Sequence, residues 1–195
     1  MAKKESTLWQ LVITLTLISC IAGISLATVY SVTKSPIDKA QSQKKNDAMQ
    51  QVLPNFKGKI TEYKCEMEAG KDSVIVNMAY QGSTLFGAAV QTYTDIAFSG
   101  RFDIMVGFDA EGNILGTEVL KANETPGLGD KINKKKSDFA AQFMGKNPAN
   151  YTLKVKKDGG EVDAITAATI SSRAFCDAVD RAYKAYNKIK EEHHE

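Results

Sequence analysis

The amino-acid sequence predicts an α+β protein: a single N-terminal transmembrane helix followed by one domain in which an antiparallel sheet is flanked by helices. Three observations carry that prediction. Leu8 to Thr33 is an apolar run without a charge. Several short β-rich runs between residues 60 and 120 are separated by turn formers. Residues 169–189 repeat apolar side chains at spacings of three and four, which draws one stripe along a helix.

The 195 residues, 43% apolar and 25% charged, suffice for one sizeable core beyond a membrane segment. With a net charge of only +2 and lysines interspersed with acids, no basic surface suited to nucleic acid arises. Cys20, Cys65 and Cys176 show no C-x-x-C spacing, and His193 and His194 lie at the C-terminal tip. Zinc sites, Cys/His pairs and Ser/His/Asp triads therefore lack their ingredients. Cys65 and Cys176 read as two isolated buried thiols, or as a pair if the domain faces an oxidising compartment. Chemistry is expected from a bound cofactor, with no catalytic side chain and no metal site of the chain's own.

Taken in order, residues 1–7 form a tail and 8–33 a transmembrane helix, since about 20 apolar residues already cross the hydrocarbon layer. The run outlasts the apolar core of a signal peptide, and Trp9 and Tyr30 sit near its ends, where aromatic rings favour the interface. Leu17-Ile18-Ser19-Cys20 resembles a lipoprotein processing box, but apolar residues continue past Cys20, which reads as a small residue in a helix. Lys34, Lys39, Lys44 and Lys45 outnumber Lys3 and Lys4, a balance that favours a cytoplasmic soluble part. Residues 34–54 read as a stalk, helical from Ile37 to Leu53 and stopped at Pro54.

Within the domain at 55–190, strands are expected at Ile60 to Met67, Val74 to Tyr80 and Leu85 to Thr94. A hairpin pairs Phe102 to Phe108 with Ile114 to Leu120 across Asp109-Ala110-Glu111-Gly112-Asn113. A short helix follows at Asp138 to Met144, then a second hairpin of Tyr151 to Val155 with Glu161 to Ile165 through Asp158-Gly159-Gly160. The final helix runs from Thr169 to Ile189; the closing KIKEEHHE reads as a solvated tail, with 191–195 outside the domain.

Two segments carry chemical information. Asp163-Ala164-Ile165-Thr166-Ala167-Ala168-Thr169 leads into the last helix, at the positive end of its dipole, where a phosphate binds readily. Read alone, Thr166 or Thr169 is simply an N-cap. Glu124-Thr125-Pro126-Gly127-Leu128-Gly129 combines a proline that fixes one dihedral with glycines that allow close backbone approach, as a binding loop or a tight surface turn does. The lysines among residues 131–136 either attract a phosphate or form a solvated face.

Taken jointly, E-T-P-G-L-G followed some forty residues later by D-x-x-T-x-A-T, behind one N-terminal anchor, resembles the FMN-binding subunits of ion-translocating electron transport complexes. The likeness is to the G subunit of the Rnf complex and to its relative, the C subunit of the sodium-translocating NADH:quinone reductase; the chain's length suits the smaller, Rnf-type protein. It implies FMN held by a phosphoester to Thr169, with Asp163, Thr166 and Ala168 at the other motif positions and Ala167 where a glycine is common. The cofactor set extends to Glu124, Thr125, Gly127, Leu128 and Gly129. Tyr93, Phe98 and Phe102 read either as residues lining the ring or, as aromatics in sheet segments more often are, as simple core.

The resemblance further implies a single-pass protein of the bacterial cytoplasmic membrane, in contact with lipid, with its flavin domain outside the cytoplasm. It implies a flavin transferase using FAD during maturation, and iron-sulfur and flavin subunits as electron partners. The complex would couple ferredoxin and NAD oxidoreduction to Na⁺ or H⁺ movement. Alternatives are a membrane-tethered regulatory or sensory protein using the same module, and a flavin-free scaffold in which Thr169 only caps a helix.

Overall fold

The structure, a computed structural model, describes residues 7–67 and 72–193. The chain divides into two units, Met1–Lys44 and Lys45–Glu195.

The first unit is helical from Leu8, as part of helix α1 (Leu8–Val52). α1 is long and apolar enough to cross a membrane, and its side chains are exposed from Leu8 to Asp47. Its stretch from Leu8 to Thr33, without a charge and exposed, suits lipid better than water. Five of its hydroxyls are satisfied internally: those of Thr14, Thr16, Thr28 and Thr33 donate to carbonyls four residues back, and that of Ser31 to the carbonyl three back. Lipid imposes that economy, because it offers no hydrogen-bond partner. Pro36 lies inside the helix, at the change from apolar to charged sequence. Its missing N–H and fixed ring cost α1 one backbone bond there. Cys20 is exposed on α1.

In the second unit five strands follow one another in sequence and in space: β1 (Lys59–Cys65), β2 (Val74–Gln81), β3 (Thr84–Thr94), β4 (Phe102–Asp109) and β5 (Ile114–Lys121). Every neighbouring pair is antiparallel. The strand period of two sorts side chains to opposite faces. Along β4, Ile104, Val106 and Phe108 turn into the larger core, while Met105 joins a second, smaller one. The β4–β5 turn is built by Asp109, whose Oδ1 accepts from the amides of Glu111 and Asn113 at 3.0 and 2.8 Å. Gly112 supplies the positive φ of 90° there.

Helix α2 (Thr169–His193) covers the larger core face. Ala174, Ala178, Ala182 and Ala185 let it lie close to the strands, and Phe175 and Tyr186 fill the gaps on either side. Tyr186 stacks on Phe108 with ring centres 5.3 Å apart, and its hydroxyl donates to the carbonyl of Asp109 at 3.0 Å. That burial pushes the phenol's pKa up. On the opposite face Ala48 and Val52 at the end of α1, with Leu53 just after it, pack on Ala79, Ala89, Met105 and Leu120.

Two sequence expectations are corrected. Residues 151–165 form no antiparallel hairpin: Val155 and Val162 make a single parallel bridge around a 3-10 turn at Lys156–Asp158. Gly159, with φ 79°, turns the chain, and Gly160 sits against the Lys154 carbonyl too closely for a Cβ, so the segment loops back before a second strand can register. The KIKEEHHE segment is helical as far as His193, because Ile189 is buried and Lys188 and Lys190 donate to the carbonyls of Glu66 and Ala110. The Asp138 helix is present as a 3-10 helix, Asp138–Phe143, and Cys65 and Cys176 are free buried thiols.

The seat of α1 on the sheet depends on Gly107, which pairs with Gly116 across β4 and β5. A Cβ on Gly107 would strike the Val52 carbonyl and stand 2.7 Å from its carbon. Gly107→Ala is therefore expected to destabilise the domain by about 1–3 kcal/mol through overpacking, read from urea unfolding. A change under about 0.5 kcal/mol would mean that the end of α1 is free to step back.

Candidate functional site

The meander brings distant segments to one end of the sheet. Because β4 runs antiparallel to β3 and β5, Thr94 faces Phe102 and Asp103 faces Lys121. The β3–β4 connection at 95–101 and the loop leaving β5 at 122–128 therefore emerge side by side. α2 is tied to the same end, where the Thr94 hydroxyl donates to Asp177 at 2.7 Å.

There the two motif segments meet. A cleft of about 320 Å³ is lined by Phe98 from the first connection, by Glu124, Thr125, Leu128 and Gly129 from the second, and by residues 167–171 at the start of α2. Phe98, Leu128 and Ile170 give it apolar walls and are exposed at its rim. This size is at the lower end for pockets that hold a small molecule, as for a site gripping part of a ligand and leaving the rest open.

The start of α2 has a division of labour among its hydroxyls. Ser172 Oγ accepts from the Ile165 amide at 2.9 Å and donates to the Ala168 carbonyl at 3.0 Å, closing the turn before the helix. Ser171 Oγ donates to Glu124 Oε2. Thr169 and Thr166, the two candidate caps, make no side-chain hydrogen bond among the described residues. The amides of Thr169, Ile170 and Ser171 likewise find no acceptor there. A partly buried hydroxyl thus opens on a cleft next to three unpaired N–H donors at the positive end of a 25-residue helix. Ala167 enters the helix with φ 62°, a left-handed conformation that glycine adopts without strain.

The loop after β5 is a tight turn: the Leu128 amide donates to the Thr125 carbonyl at 3.2 Å, across Pro126 and a Gly127 with φ 77°. Proline followed by a residue of positive φ is the type II pattern. Gly129 serves differently, since a Cβ there would stand 2.6 Å from Ser171 Oγ and closer still to the Glu124 carboxylate.

Of the residues singled out from sequence, Glu124, Thr125, Leu128, Gly129, Ala168 and Thr169 line the cleft, and Gly127 shapes the turn from outside it. Asp163 and Thr166 do not line it. Asp163 is bonded to Lys156 at 2.7 Å and to the Gln142 side chain, and Thr166 is exposed. Phe98 is at the site, whereas Phe102 is a core residue beside Phe175, and Tyr93 is buried with Arg101 and Arg181 against its ring. Two lysines of residues 131–136 are already engaged, Lys134 with Glu118 and Lys136 with Asp130.

Sequence reading missed Ser171 and Ser99, and the apolar stripe it draws over residues 169–189 takes in Ile170. The buried phase is 171, 172, 174, 175, 176, 178, 179, 182, 185, 186 and 189, while Ile170 is 46% exposed and lines the cleft. A serine standing in an apolar phase was the available signal, because a buried hydroxyl requires a partner.

The FMN-binding domain family matches residues 98–184, a span that contains every wall of the cleft. The G subunit of the ion-translocating oxidoreductase complex of Aliivibrio fischeri is 35% identical over 183 residues, 88% of this chain and 87% of the relative. The corresponding G subunit of Salmonella typhi is 37% identical over 166 residues, 80% of each chain, and that of Vibrio vulnificus 31% over 189 residues, 92% and 90%. The residues of the cleft suit such a ligand: unpaired amides for a phosphate, a free hydroxyl beside them, and apolar walls for a flat ring.

Next to the binding loop, the Lys136 ammonium holds the Asp130 carboxyl below its ordinary pKa. A depressed carboxylate contributes stability above the ordinary aspartate pKa and loses it as pH falls through the folded value. The melting-temperature difference between wild type and Asp130→Asn is accordingly expected to be constant from neutral pH down to the aspartate range and to close below it. A difference independent of pH would remove the ion pair as its cause.

Proposed function

The chain belongs to the family of G subunits of ion-translocating oxidoreductase complexes, and from that premise we propose that it is a membrane-anchored electron carrier with FMN joined by a phosphoester to Thr169. The observation that carries this reading is the Thr169 hydroxyl, unbonded within the described residues and opening on a cleft beside the unpaired amides of the first turn of α2. A threonine serving as an ordinary cap would have spent its oxygen on one of those amides.

Bound there, the flavin supplies reversible uptake of one or two electrons, and the chain supplies position, shielding and electrostatics. The amides of Thr169, Ile170 and Ser171 are placed to hold the phosphate. Phe98, Leu128 and Ile170 offer the ring an apolar wall, and the turn at Pro126-Gly127 holds Thr125 and Leu128 at the mouth. No side chain of the cleft need donate or accept a substrate proton, which fits a chain whose two histidines are at its end. Fixing the cofactor to one residue also keeps its local concentration high.

In this reading residues 8–33 span the membrane among lipid, 34–54 form a stalk, and 55–190 are the flavin domain. A flavin transferase would move the FMN half of FAD to the Thr169 hydroxyl, breaking the FAD pyrophosphate bond and releasing AMP as the hydroxyl gives up its proton, and iron-sulfur and flavin subunits of the complex would deliver and remove the electrons. The domain lies on the extracytoplasmic side, where that attachment occurs. Alkaline phosphatase fused after Glu195 should therefore be active in intact cells; an inactive, stably expressed fusion would place the domain inside.

After expression with the transferase, the wild-type chain is expected to give a flavin-fluorescent band on a denaturing gel and an intact mass raised by one FMN phosphoester. Thr169→Ala should lose both while its unfolding free energy changes by less than about 0.5 kcal/mol, since the lost hydroxyl makes no hydrogen bond. Fluorescence that survives the substitution would assign the attachment elsewhere.

A further inference from the structure

Glu124 is 7% exposed and Ser171 1%, and each is hydrogen-bonded to the other. The second carboxylate oxygen of Glu124 accepts from the Ser99 amide at 3.0 Å. Partners 25 residues before it and 47 after it in sequence are thereby held on one side chain. Gly129 closes the group from the fourth side, packed on the Glu124 carboxylate and Ser171 Oγ with no room for a Cβ.

Each of these segments carries one wall of the cleft. Phe98 precedes Ser99, Thr125 and Leu128 follow Glu124, and Thr169 and Ile170 precede Ser171. A joint whose only task was to close the core would cost less if made of apolar side chains, because a buried carboxylate must recover its lost hydration through several bonds. The polar joint is used where the joint itself faces the cleft.

We propose that Glu124 is a positioning residue: its carboxylate, through Ser99 and Ser171, locks the three walls of the cleft into the arrangement that immobilises the flavin ring. Thr169 fixes only the phosphate end, and a ring tethered at one end swings freely unless the walls are held. The proposal rests on the reading of Thr169 as the flavin-bearing residue, and it gives Ser171 the second half of the lock. Gln at position 124 keeps an acceptor for the Ser99 amide and puts an NH2 where Ser171 Oγ now donates, so that the second link is reversed but kept, and the lock depends on hydrogen-bond geometry.

The full-length chain, expressed with the transferase and purified in detergent, is compared as wild type, Glu124→Gln, Glu124→Ala and Ser171→Ala. Intact mass reports attachment, and flavin fluorescence anisotropy with visible circular dichroism reports immobilisation. Glu124→Ala is expected to keep its FMN but lose most of the anisotropy and the induced dichroism. Ser171→Ala should lose part of each, and Glu124→Gln should retain most of the wild-type signal. A variant that folds yet fails to take FMN, with attachment restored by Gln, supports the same role. Wild-type anisotropy and dichroism in a flavin-loaded Glu124→Ala would overturn the proposal; if that variant does not fold, the same result in Ser171→Ala would do so. A wild-type chain that carries no flavin would overturn the reading of Thr169 as well, so the two failures are told apart.

Discussion

The placement of α2 across the sheet is the packing on which the candidate site depends. Four alanines bring the helix against the strands, Phe175 packs with Phe102, Phe139 and Phe143, and Tyr186 lies on Phe108 with its hydroxyl bonded to the β4–β5 turn. These contacts are spread along the helix, so they fix its rotation and its axial position together. Once both are fixed, the first turn of α2 has one possible location, at the end of the sheet from which the 95–101 and 122–128 segments leave. The cleft follows from helix packing and meander topology before any of its own contacts are made, and the Glu124 lock adjusts walls that are already neighbours.

The opposite face of the sheet is managed in another way. A helix end is seated there by removing side chains: Gly107 and Gly116 are paired in register, and the Val52 carbonyl occupies the space that a Cβ on Gly107 would take. Close backbone approach replaces interdigitated side chains, and a neighbouring ring pair, Phe56 and Phe86 at 5.3 Å, lies beside the seat. The two faces thus use the two ways of packing a helix on strands, one through volume and one through its absence. The second tolerates no enlargement, which makes the glycine in β4 the more constrained position.

Much of this is legible in the sequence. The positions of the five strands along the chain, their antiparallel sheet, the β4–β5 hairpin, the long final helix and the apolar N-terminal helix follow from periodicity and turn chemistry, and the structure contains them. Residues 151–165 mislead because a glycine pair between two β-prone runs signals a turn without stating its direction, and here the chain folds back too tightly for a ladder. The site is half legible. Glycine and proline spacing marks the 124–129 loop, and a threonine-rich helix start marks residues 163–169, but their meeting is a property of strand order that neither segment encodes. Asp163 is drawn in by its place in the motif, yet its side chain is spent on Lys156, in the connection that leads to α2.

The phase of α2 explains how one short segment supplies both a structural joint and an open site. Successive helical residues turn by about 100°, so neighbours in sequence face different surroundings. Ser171 and Ser172 fall on the side of the buried stripe, where a hydroxyl must find a partner, and they bond to Glu124 and to the Ile165–Ala168 turn. Thr169 and Ile170 fall on the side of the cleft. Ser172 closes the preceding turn by accepting from the Ile165 amide, so that turn draws on neither threonine. The Thr169 hydroxyl and the first-turn amides stay unengaged among the described residues, so on its cleft side the helix presents a hydroxyl beside unpaired donors, an arrangement suited to a phosphate.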